Sequence, residues 1–141
     1  MDTMNLYHSI TPRYPELNNK VAIVTGASKG IGKGIAIRLA REGMKVVLTG
    51  RTSETVNATT EELKSLGVDA LAVPGDVGKT DQINHLFEKT LQKFGTVDLL
   101  VNNAANLRRM PFFNLTEEMF DEEYATNQKG PFMCAFRAAE I

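Results

Sequence analysis

The sequence has a single cysteine, Cys134, and no tryptophan among its 141 residues. One thiol cannot close an internal disulfide, so the fold must rest on its apolar core, and a reducing, cytoplasmic setting is expected. No apolar run approaches the roughly 20 residues that a membrane helix needs, so no membrane partner is expected. No charge of one sign dominates: the formal net charge is −1, which gives no electrostatic footprint for nucleic acid. Histidine is scarce as well. His8 and His85 stand alone, without metal-ligand spacing around them. The start, "MDTMNLYHSITPRYPELNNK", lacks a basic segment followed by an apolar one, so it does not read as a signal peptide. Pro12 and Pro15 make residues 1–18 an irregular arm by expectation. There is no internal repeat.

What the chain does have is a core. With 43% hydrophobic and 23% charged residues it can bury one domain and keep a polar surface. Four short apolar runs recur, "VAIV" (21–24), "VVL" (46–48), "ALAV" (70–73) and "VDLLV" (97–101). They are nearly continuous rather than alternating, as strands are when helices cover both faces of a parallel sheet. Helical patterns lie between them. Ile31, Ile35, Leu39 and Ala40 share one face, Val56, Leu63 and Leu66 another, and Ile83, Leu86, Phe87, Thr90, Leu91 and Phe94 a third. Gly43, Gly67 and Gly95 follow the three helices, where a left-handed residue ends a helix well. Thr80 and Thr116 stand at expected N-caps. The order is β-α-β-α-β-α-β, followed by one or two helices from about 116. Right-handed crossovers turn this order into an α/β, doubly wound parallel sheet in three layers.

The sequence ends on "MCAFRAAEI", helical in composition, with no cap and no following strand. The apolar edge at 97–101 lacks a neighbour, although such edges are normally paired or covered. Residues 19–141 are therefore expected to be the N-terminal part of a longer domain, truncated after about four strands. The alternative is a small, self-sufficient four-stranded domain.

The join at "VTGASKGIGKG" bears most directly on function. A strand end, a glycine turn and a helix start together make an anion site, because the first helical N–H groups have no internal partner and the macrodipole is positive there. Gly26 lets the chain turn off the strand. Gly30 and Gly32 let the backbone approach a diphosphate with no Cβ in the way. A plain tight strand-to-helix turn is the alternative.

The spacing is T-G-x-x-x-G-x-G, and "GDV" (75–77), "NNAA" (102–105) and "YATNQKGPF" (124–132) follow in turn. In these motifs, and in their order and spacing, residues 17 to 141 resemble the short-chain dehydrogenase/reductase family. The resemblance implies a Rossmann-type dinucleotide-binding fold. It implies cofactor contacts at Gly26, Ser28, Lys29, Gly30, Ile31, Gly32, Asp76, Val77, Asn103 and Ala104, with Asp76 accepting from the adenine amino group. It also implies a catalytic Asn at Asn127, which supports a proton relay and kinks its helix. Ala105 stands where the family usually has glycine, and alanine resists positive φ.

An NAD enzyme would place Asp or Glu about 20 residues past the glycines. No acid occurs from Leu48 to Ser53, and Arg51 stands there instead, with Lys29 inside the glycine loop. Two cations suit a 2′-phosphate, so NADP(H) is expected over NAD(H). A solvated loop charge is the other reading of Arg51.

The family's chemistry needs Tyr and Lys spaced Y-x-x-x-K, with a Ser upstream. Four residues on from Tyr7, Tyr14 and Tyr124 come Thr11, Asn18 and Gln128, and every serine precedes the fourth strand. The resemblance thus implies an NADP-dependent oxidoreductase that moves hydride between NADPH and a small carbonyl or alcohol. A 3-oxoacyl thioester is the nearest substrate by resemblance, with a sugar or small alcohol as another, and the complete protein is expected to be a homo-oligomer. A non-catalytic nucleotide-binding fragment is the alternative for these residues alone.

Overall fold

In a computed structural model describing residues 2–141, the four apolar runs form one parallel sheet. The strands are Val21–Thr25 (β1), Lys45–Thr49 (β2), Ala70–Ala72 (β3) and Leu99–Val101 (β4), in the order β3-β2-β1-β4. The register sets Val24 beside Leu48 and Val101. All of β1 and all but the first residue of β2 are buried, as strands covered on both faces must be. The helices are Gly30–Arg41 (α2), Ser53–Ser65 (α3), Thr80–Phe94 (α4), Glu117–Tyr124 (α5) and Gly130–Ala139 (α6), with a π-helical stretch, Ala125–Lys129, between the last two.

Successive strand residues face opposite sides, and two core clusters result. Ala22, Val24, Val46 and Leu48 meet Ala36 and Ile37 of α2 and Val56 and Leu63 of α3. Ile23 and Val47 meet Ile83, Leu86 and Phe87 of α4 and Cys134 of α6. Burial pushes the Cys134 thiol up to about 11, so this residue packs as a small apolar group. The chain winds outward from β1 through β2 to β3, then crosses to β4 on the other side of β1. The crossover leaves a crevice at the carboxyl ends of β1 and β4.

Gly43, Gly67 and Gly95 do end helices, with φ of 86°, 82° and 78°. Thr116 caps α5 by accepting from Met119 N at 3.3 Å. Thr80 does not cap α4. Lys79 takes that place without a side-chain bond, because the preceding turn is already closed by Asp76, whose carbonyl accepts from Lys79 N at 3.0 Å. Ile31 is not on the buried face of α2. It is 78% exposed, because it lines the open cleft while its neighbour Gly32 is the residue of that first turn that packs, against Gly26 and Asn103.

The N-terminal arm is more ordered than its prolines imply. Residues Thr3–Ser9 form a helix, α1. Both prolines lie after it, and Asp2 caps it by accepting from Met4 N at 3.1 Å. Leu6, Tyr7 and Ile10 pack against the α2–α3 side of the core. Pro15 then opens a short 3₁₀ turn, Pro15–Leu17, where a fixed φ suits a first helical position.

A latch on Glu42 holds the end of the arm. This buried carboxylate accepts from Arg13 N at 2.8 Å and Tyr14 N at 2.9 Å and pairs with Arg38. Burial raises its pKa, but the N–H groups of Tyr14 and Arg13 and the charges of Arg38 and Arg13 outweigh this, and the net value lies below the ordinary 4.5. A depressed folded-state value gives stabilisation that is present above the unfolded value and lost as pH falls through the folded one. Amides of residues 10–19 should therefore exchange faster at about pH 3 than at about pH 6, once intrinsic rates are removed. Glu42→Gln should abolish that step, and β1 amides should not follow it.

Candidate functional site

The glycine turn between β1 and α2 leaves the amides that open α2 without backbone partners. Gly26 and Gly30 have φ of 65° and 56°, left-handed values that an L side chain resists. A Cβ on Gly32 would lie 2.5 Å from Asn103 Nδ2 and 2.8 Å from the Gly26 carbonyl carbon, so only glycine fits. The first helical bond of α2 runs from Lys33 N to Lys29 O at 3.2 Å. The N–H groups of Gly30, Ile31 and Gly32 precede it and lack helical partners. No acid occupies that first turn, so nothing offsets the positive end of the dipole.

Cross-ties from β4 fix the turn. Asn103 Nδ2 donates to Thr25 O at 3.0 Å and to Gly26 O at 3.2 Å. Thr25 Oγ1 accepts from Asn103 N and Ala104 N, each at 3.0 Å. From α3, Thr59 Oγ1 donates to Ser28 O at 3.0 Å.

The turn forms one wall of a cleft of about 450 Å³, within the usual range for a small-molecule site. Gly26, Ser28, Lys29, Ile31 and Gly32 line that wall. Gly50, Arg51 and Thr52 line the cleft at the end of β2, and Gly75, Asp76 and Val77 beyond β3. Asn103, Ala104, Ala105 and Leu107 line it beyond β4. Of the residues that the sequence marks for the cofactor, only Gly30 is off this surface, as is Asn127. Lys29 and Arg51 are exposed, and neither is paired with a carboxylate among the described residues. Ala105 keeps an ordinary φ, since Asn19 is the only non-glycine with a positive one among the described residues. Asp76 uses one oxygen locally, accepting from Gly78 N at 2.8 Å.

Asn127 lies in the π-helical stretch and faces the loop after β4. Its Oδ1 accepts from Asn106 N at 2.7 Å and its Nδ2 donates to Asn106 O at 2.8 Å. A nearby ion pair, Arg108 to Glu122 at 2.6 Å, ties the same loop to α5. Besides Gly50, Thr52, Gly75 and Leu107, Thr126 is a cleft residue that sequence reading missed. It is buried yet reaches the cleft wall, because α6 starts hard against the β3–α4 connection: a Cβ on Gly130 would lie 2.5 Å from Val77 O. Its position beside Asn127 was the available signal. Leu107 and Phe113 of the following loop are 84% and 95% exposed, and Phe132 of α6 is 69% exposed.

Comparison with known proteins agrees with this geometry. The family model described as short chain dehydrogenase matches residues 20–141. A 3-oxoacyl-[acyl-carrier-protein] reductase FabG from Staphylococcus epidermidis is 38% identical over 117 residues, covering 82% of this chain and 48% of that protein. Among solved structures, L-sorbose reductase from Gluconobacter frateurii, complexed with NADPH and L-sorbose, is 29% identical with a TM-score of 0.84, covering 87% of this chain and 47% of that one. A short chain dehydrogenase/reductase from Burkholderia phymatum, in complex with NAD, is 29% identical with a TM-score of 0.86, covering 89% of this chain and 45% of that one. The chain thus spans about half the length of the relatives it matches. The match over 20–141, on a parallel sheet that carries the glycine turn, makes this chain a member of the short chain dehydrogenase family.

Proposed function

We propose that this chain binds NADP(H) in the cleft and forms the dinucleotide-binding part, residues 19–141, of an oxidoreductase acting on a carbonyl or alcohol. The observation that carries this reading is the set of partnerless amides at Gly30, Ile31 and Gly32, of which Ile31 and Gly32 line one cleft together with the unpaired Lys29 and with Arg51. When bound, the nicotinamide supplies or accepts the hydride, which is the cofactor's own chemistry.

The chain's residues bind and orient. The turn amides, with Ser28, hold the diphosphate. Arg51 and Lys29 hold the 2′-phosphate, for which a guanidinium fork is suited. The free side of the Asp76 carboxylate accepts from the adenine amino group beside Val77. Asn103 and Ala104 border the ribose. Asn127 fixes the loop over the nicotinamide side and supports the proton relay of the whole protein. A 3-oxoacyl thioester is the substrate class we favour, on the likeness to the Staphylococcus reductase. We extend the proposal to a homo-oligomer, supported by Phe132 and Phe136, which are exposed on α6, and to a cytoplasmic setting, supported by the single cysteine. No helix among the described residues is long and apolar enough to cross a membrane.

Fluorescence titration tests this reading. NADPH should bind about tenfold or more tightly than NADH, the scale of one charge-assisted contact. With no Y-x-x-x-K in the sequence, the 141-residue chain should not consume NADPH when given a 3-oxoacyl thioester. Equal affinities would remove the NADP preference. Turnover would show that these residues suffice for the chemistry.

A further inference from the structure

The arm lies outside residues 20–141, which the family model matches, yet it runs the length of the helix that carries the turn. Thr3 reaches the first turn of α2 through Glu62. Tyr7 lies under the Arg41 guanidinium at 5.1 Å, and Arg41 Nε donates to Ile10 O at 3.0 Å. Arg38 donates to Thr11 O at 3.3 Å, and Glu42 takes the amides of Arg13 and Tyr14. Contacts of this kind along a whole helix do more than tether a chain end.

The informative point is where the arm ends. Glu62 Oε2 accepts from Lys33 Nζ at 2.6 Å and from the Thr3 hydroxyl, so one carboxylate oxygen joins α1, α2 and α3. Thr3 is buried, at 4% exposure, so its hydroxyl is committed to this contact. Lys33 donates the first helical bond of α2 and follows Gly32 directly. One turn before Glu62, on the same face of α3, buried Thr59 donates to Ser28 O. A single turn of α3 therefore grips the glycine turn on both shoulders, at Ser28 ahead of the free amides and at Lys33 behind them. Lys33 is held by Glu62 and, unlike Lys29 and Arg51, does not line the cleft.

We propose that Thr59 and Glu62 are positioning residues for the diphosphate-binding turn, and that Thr3 makes the N-terminal arm the third part of this bracket, so that the arm sets dinucleotide affinity without touching the dinucleotide. The part concerning affinity rests on the function proposed above. The bracket itself rests on geometry alone. A preorganised turn binds more tightly because less ordering is left to occur on binding. Loosening either shoulder releases the amides from their shared direction.

The test uses Thr3→Val and Thr59→Val, which keep side-chain shape and remove the hydroxyl, with Thr3→Ser and Thr59→Ser as conservative rescues. Two readouts are taken well below the melting temperature: NADPH affinity by fluorescence titration, and amide exchange without ligand. Each valine variant should weaken NADPH binding about three- to tenfold, the scale of one hydrogen bond. Each should also speed exchange at the bonded amides that flank the free ones, Ala27 and Lys33, while β2 amides stay protected. The serine variants should match the parent. Valine variants with parental affinity and parental exchange at the turn would overturn the proposal. So would exchange that rises evenly over β1 and β2, since that marks plain loss of stability. A parent chain that binds no NADPH would contradict the proposed function instead. Exchange at the turn then still decides the bracket: faster in the valine variants supports it, unchanged overturns it.

Discussion

Gly32→Ala should destabilise the chain by about 2–4 kcal/mol and remove measurable NADPH binding, whereas Gly34→Ala, two residues on, should be neutral or stabilising by about 0.5–1 kcal/mol. The two glycines belong to the same helix and differ in surroundings. A Cβ at Gly32 would press on the Gly26 carbonyl and sit 2.5 Å from Asn103 Nδ2, and neither can yield. The carbonyl is backbone, and the Asn103 amide is already bonded to Thr25 O and Gly26 O. The turn must open, which separates β1 from the end of β4 and scatters the amides. At Gly34 a Cβ would meet nothing within 4 Å, so alanine there only narrows the unfolded ensemble. Denaturant unfolding and NADPH titration of both variants measure the contrast. Equal stability and equal affinity in the two would mean that the close packing at Gly32 plays no part.

Arg51→Asp should reverse cofactor choice, weakening NADPH about a hundredfold or more while leaving NADH binding unchanged or tighter. Two effects act together. The substitution removes a bidentate partner of the 2′-phosphate and adds a carboxylate that repels it. The same carboxylate can accept from an unesterified ribose 2′-OH. Family membership alone does not decide the matter, since similar structures carry NADPH in one case and NAD in another. Lys29, also on the cleft wall, gives a graded comparison: as a single point charge its removal should cost NADPH about tenfold. An unchanged ratio of the two affinities in Arg51→Asp would assign the arginine to the solvent.

Much of this was legible in the residues because it depends on local chemistry. The β-branched runs that became β1 and β2 are apolar on both faces, and only a doubly covered strand satisfies them. Gly43, Gly67 and Gly95 ended helices because left-handed backbone favours glycine. The residues proposed to hold the cofactor line one cleft because most of them follow strand ends, which the strand order gathers. What escaped reading depended on distant partners. The helix α1 forms because Leu6, Tyr7 and Ile10 find the α2–α3 surface, and nothing within the arm announces that surface. The resemblance implied a kink at Asn127, but not that the π-helical stretch there would form where Gly130 closes on Val77 O, a contact between segments about 50 residues apart. That stretch carries Thr126 to the cleft and turns Asn127 onto the Asn106 backbone. Thr59 and Glu62 look like ordinary surface positions of an amphipathic helix until Ser28 and Lys33 arrive beside them.

Backbone amide shifts of an isotope-labelled chain, titrated with NADPH, test the diphosphate cradle most directly. The largest perturbations should fall on Ser28 through Gly32, with a second group at Arg51 and its neighbours, and the turn set should persist when NADH replaces NADPH. Perturbations centred elsewhere, or none at millimolar dinucleotide, would contradict the assignment of the glycine turn as the binding site.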